Sequence, residues 1–111
     1  MLISRDYWIV QQESGVASSQ NLDHAVPATQ DPFQRYLYVA SSDGSRVGYQ
    51  LERPAGTVVF KGFTPDFIDF GMEGFFVPGT AGDTLRLAVA AGAAGVTTRA
   101  WIMGVDKQRS H

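Results

Sequence analysis

Asp83-Thr84-Leu85-Arg86-Leu87-Ala88-Val89-Ala90-Ala91 is the stretch on which the fold turns. Leu85, Leu87, Val89 and Ala91 alternate with Thr84, Arg86, Ala88 and Ala90, so an extended chain would be apolar on one side and mixed on the other. The alanines alone would suit a helix. Thr84 and Val89 are poor helix formers, however, and the apolar positions fit period two better than period 3.6. The segment reads as a half-buried β-strand.

Outward from it, Gly and Pro punctuate the chain at intervals of about eight to twelve residues, the spacing of an all-β sandwich or barrel. Downstream, Gly92-Ala93-Ala94-Gly95 leads into Val96–Val105, which predicts a closing hairpin. Upstream, Phe33–Ala40 and Ser45–Glu52 flank the turn formers Ser41-Ser42-Asp43-Gly44 and predict another hairpin. Val47, Tyr49 and Leu51 oppose Arg46, Gly48, Gln50 and Glu52, while Tyr36 and Tyr38 share a face opposite Arg35, Leu37 and Val39. Arg53-Pro54-Ala55-Gly56 predicts a turn into a strand over Thr57–Phe63, with Val58, Phe60 and Gly62 on one face. Gln11–Gln34 has no sustained period and predicts a long irregular segment or N-terminal arm, with one short strand near Leu22–Val26. Asp106–His111 predicts a polar, frayed tail.

These elements sit in 111 residues carrying a net charge of −2 and no cysteine. A folded chain of this mass buries about two-thirds of its extended surface, which predicts one domain over residues 1–111. Apolar residues make up 44% of the chain, enough for a core without staples. The missing cysteine removes disulfide scaffolds, thiol catalysis and cysteine-bound zinc. Seven Arg and two Lys against eight Asp and three Glu, without a like-charge run, give no electrostatic footprint for nucleic acid. The start has neither a secretory pattern nor a membrane span, which predicts synthesis in the cytoplasm without membrane attachment.

Catalytic chemistry finds little material. The two histidines, His24 and His111, build no imidazole-rich metal site, and Asp23-His24 with Asp31 matches no ligand spacing, so His24 reads as a solvated loop residue. No serine stands in G-x-S-x-G. Gly79-Thr80-Ala81-Gly82-Asp83-Thr84 lacks the lysine of a phosphate loop and reads as a turn. Asp66 and Asp69 fall short of a calcium ligand set and read as caps and turn residues. The expectation is a non-enzyme without cofactor or metal.

Phe67-Ile68-Asp69-Phe70-Gly71-Met72-Glu73-Gly74-Phe75-Phe76-Val77 carries the functional signal. Neighbours in a strand point to opposite faces, so Phe67 with Ile68, and Phe75 with Phe76, send apolar surface both ways. Burying each such side chain is worth about 1.5–3 kcal/mol, and a small sandwich has one inside. A companion is therefore expected over the second face, with Phe67, Phe70, Phe75, Phe76 and Trp101 as the contact residues.

The pattern Gly74-Phe75-Phe76-Val77-Pro78-Gly79, then Asp83–Val96, then Trp101-Ile102-Met103-Gly104-Val105 resembles the C-terminal half of small jelly-roll proteins of tailed bacteriophages. The likeness covers Phe60 to Val105. It implies a tumour-necrosis-factor-like or related jelly roll, often trimeric, acting as capsid decoration, cement or head-fibre component, with no catalytic residues to carry over. The combined expectation is an all-β, single-domain, antiparallel and jelly-roll-like β-sandwich of about eight short strands. Its expected function is structural: a homo-oligomer, trimeric by the resemblance, bound to the major capsid protein or another virion protein outside the shell. The alternative is a carbohydrate- or host-surface-binding sandwich that exposes Tyr36, Tyr38, Tyr49 and Trp101 as sugar platforms.

Overall fold

The computed structural model describes residues 5–108. Nine strands form among them: β1 (Arg5–Glu13), β2 (Gln20–Ala25), β3 (Gln30–Ser41), β4 (Gly48–Glu52), β5 (Val58–Phe63), β6 (Asp66–Asp69), β7 (Phe75–Phe76), β8 (Thr84–Val89) and β9 (Thr98–Gln108). The decisive period-two stretch is β8, and Leu85, Leu87 and Val89 are buried as their spacing predicts.

The strands make two antiparallel sheets. One runs β1-β9-β3-β6, with β7 also on β3; the other runs β2-β8-β4-β5. The pairings nest: β4 with β5, β3 with β6 and β7, β2 with β8, β1 with β9. The chain is thus one long hairpin with its tip near Arg53–Gly56, wound so that β9 also lies beside β3 and β8 beside β4. Such a winding is consistent with a jelly roll. Leu37, Val39, Ala100 and Ile102 from the first sheet meet Leu22, Tyr49, Leu51, Leu85 and Leu87 from the second, and the core lies between. At Gly104 the indole of Trp8 lies across the backbone, where a Cβ would collide with it and would come within 2.5 Å of the Phe33 carbonyl oxygen. Only glycine fits there.

Four expectations need correction. Residues 11–34 are not an irregular arm, since β1 extends to Glu13, β2 spans Gln20–Ala25 and β3 begins at Gln30. Their alternation is disguised because two of the three inward residues of β2 are polar: Gln20 is buried and its amide donates to the Thr98 carbonyl and hydroxyl oxygens at 3.1 and 2.7 Å. Neither predicted hairpin forms. Ser41–Ser45 and Gly92–Val96 are passages from one sheet to the other, so β3 and β4 never pair, nor do β8 and β9. In β5 a register shift beside Leu51/Glu52 sets Val58 opposite Glu52, while Phe60 and Gly62 face inward opposite Leu51 and Tyr49. Finally, β9 continues through Asp106, whose side chain is buried; residues 109–111, His111 among them, lie outside the described residues.

A buried ion pair secures the connection from β7 to β8. The Arg53 guanidinium donates to Asp83 Oδ1 at 2.6 Å, to the Thr80 carbonyl at 3.2 Å and to the Val77 carbonyl. Asp83 Oδ2 in turn accepts the Thr80 N–H at 2.8 Å, so Gly79–Asp83 is the turn its composition predicts.

Candidate functional site

The strand registers set the outward side chains of the first sheet in rows, because residues directly opposite one another share a face. One row is Tyr7, Val105, Phe33 and Phe76; the next is Ile9, Met103, Tyr36 and Asp69. A third is Gln11, Trp101, Tyr38 and Phe67, and Glu13, Arg99 and Ala40 end the face. The outward side of the second sheet differs, with rows such as Asn21, Ala88, Gln50 and Lys61. One sandwich surface is therefore rich in aromatic rings, and the other mixes polar rows with the exposed Phe63 and Val58.

Among the contact residues read from the sequence, Phe67 and Trp101 come together on this face, with ring centroids 5.9 Å apart. Tyr36 and Tyr38 join them, each 6.1 Å from Trp101. Phe76 lies further along the same face beside Phe33, at 5.5 Å. The Lys107 ammonium covers the Phe33 ring at 4.2 Å, a cation–π contact. Phe75 and Phe70 take another direction. They pack on Phe60 of β5 at 6.2 and 6.0 Å and on each other at 5.6 Å, closing the gap between the edges of the two sheets.

Apolar surface stays in water on both sides of this segment. Phe67 is 56% exposed, Phe76 45% and Phe75 38%, and Met72 in the turn between β6 and β7 is 82% exposed. Ile68, the inward neighbour of Phe67, packs against the core. Gly74 makes the turn possible: its φ is +77°, and a Cβ would meet the Phe33 Cβ at 3.1 Å and the Gln34 carbonyl oxygen at 3.2 Å.

The remaining candidates serve the fold. Tyr49 is buried, which removes it from any sugar platform, and its hydroxyl donates to Asp66. Burial, and then the Asp66 carboxylate, push the Tyr49 phenol well above its ordinary value. Asp69 Oδ1 accepts the Gly71 N–H at 2.8 Å, so Asp66 and Asp69 act as separate polar partners. Asp23 pairs with Arg86 at 2.7 Å, which raises the guanidinium above its usual range. His24 is not a solvated loop residue: it stands on β2 with its ring stacked on Trp8 and Nε2 2.9 Å from Asp106 Oδ2. Among the described residues no group of three His, Asp or Glu side chains could hold a metal ion.

The individual aromatics were visible in the sequence, but their rows depend on long-range register. The partner not named among the contact residues is Phe60, which faces inward opposite Leu51 and so receives Phe70 and Phe75. Comparison of the chain with protein-family models, with curated proteins and with solved structures gave no match.

Proposed function

We propose that this protein is a non-enzymatic structural component of a virion, which associates with further copies of itself and binds the outer surface of a capsid. The observation that carries the reading is the large apolar side chains left partly in water along β6 and β7, Phe67, Phe75 and Phe76, with exposed Met72 between them. Contiguous apolar patches on small domains mark association surfaces. The placement on a virion rests on the resemblance of Phe60–Val105 to small phage jelly-roll proteins. Decoration of a shell needs no reacting group, because several weak footholds on one lattice add as avidity.

Two measurements test this reading. Light scattering on the purified chain over a range of concentrations is expected to give a multiple of 12.1 kDa, three copies by the resemblance. Density-gradient sedimentation is expected to carry the chain with assembled particles from cells that make both. A chain that stays monomeric and separates from particles overturns the proposal.

A further inference from the structure

We propose that the Glu13–Arg99 end of the aromatic face is a binding site for neutral pyranose sugars, with Trp101 and Tyr38 as its platform. The two rings stand opposite one another on β9 and β3, with planes 22° apart and centroids separated by 6.1 Å. The rings are stacked on one another, and both residues are half-buried on the outward side of the sheet. Two depressions flank them. One, of about 340 Å³, is lined by Tyr38, Ser41, Ser42 and Thr97. The other, of about 440 Å³, lies at the β1 edge beside Trp101 and Gln11. Glu13 and Arg99 line both, 3.2 Å apart.

A pyranose has an apolar C–H face and a rim of hydroxyls. The C–H face carries partial positive charge and suits the negative face of an aromatic ring. The hydroxyl rim needs donors and acceptors at the platform edge, which Arg99 and Glu13 supply as one of each. The two charges cancel, which favours a neutral sugar over an acidic one. A second protein copy fits this end less well, because it would dehydrate an ion pair whose side chains are 71% and 55% exposed. A sugar leaves that pair at a wet rim and adds hydroxyls to it.

The test is an array of immobilised neutral oligosaccharides and their sialylated counterparts, probed with the full chain and followed by light scattering. Neutral glycans are expected to be retained. Trp101→Ala is expected to bind at least tenfold more weakly and Glu13→Gln several-fold more weakly, while Lys61→Gln, on the other sheet, binds as the parent does. Both altered side chains lie on the solvent side, and Glu13→Gln carries the same test if Trp101→Ala fails to fold. The proposal falls if no neutral glycan is retained, if sialylated glycans bind as well, or if the folded variants bind as the parent does. It falls equally if Trp101→Ala changes only the mass of the assembly, which would make the platform a subunit contact.

Discussion

Trp8 and His24 stack with ring centroids 4.1 Å apart and planes 14° from parallel, although they stand on strands of opposite sheets. Both turn a nitrogen to one carboxylate: Trp8 Nε1 donates to Asp106 Oδ1 at 3.1 Å, and His24 Nε2 lies 2.9 Å from Oδ2. The first two strands and the last are thereby tied at one end of the sandwich.

Asp106→Ala should remove that tie and leave two partly buried polar groups without their partner. Each such group costs about 1–3 kcal/mol, so a loss of about 2–6 kcal/mol is expected in urea unfolding. A loss below about 1 kcal/mol would show that water replaces the carboxylate.

Asp83→Ala should be more damaging, because it strands the Arg53 guanidinium, whose side chain is 1% exposed. Breaking a buried pair from one side costs about 3–5 kcal/mol. Replacing both partners, as Arg53→Met with Asp83→Leu, should recover part of that loss in the same unfolding assay. A double variant as unstable as Asp83→Ala would contradict the charge argument.

Phe75→Ser and Phe76→Ser should separate by readout even though they are neighbours. Phe76 faces outward, so its replacement is expected to weaken assembly in light scattering and to cost under about 1 kcal/mol of stability. Phe75 packs on Phe60 and Phe70, so its replacement is expected to cost about 2–3 kcal/mol. Equal losses of stability would place both rings in the core.

Alkaline pH should unfold the protein partly through Tyr49. Its phenol is raised in the folded state, so the contribution is complete below the unfolded value of about 10 and declines as pH rises past it. Thermal melts across pH 8 to 12 are expected to show a smaller alkaline decline for Tyr49→Phe than for the parent chain. Identical slopes would assign the decline to other groups.

Strand-forming segments and their inward sides were legible wherever period two was strong, as in Leu85, Leu87 and Val89, or in Val47, Tyr49 and Leu51. The two-sided apolar character of residues 67–77 was legible too, since adjacent large side chains in a strand must diverge. The short strand expected near Leu22–Val26 is β2, but its polar inward residues Gln20 and His24 hid its true start and the place of His24 in it, although Leu22 between them is fully buried.

By itself, the sequence determined that this chain alternates about a single core and has more aromatic side chains than that core uses. Only the tertiary structure decided which strands are neighbours. A short polar connection such as Ser41–Ser45 serves equally for a hairpin and for a passage between sheets, and nothing local distinguishes them. Partners such as Trp8 and Gly104 are brought together by the pairing of the first strand with the last. The same long-range register lines up Trp101, Tyr38 and Phe67 across three strands, turning scattered aromatics into one surface.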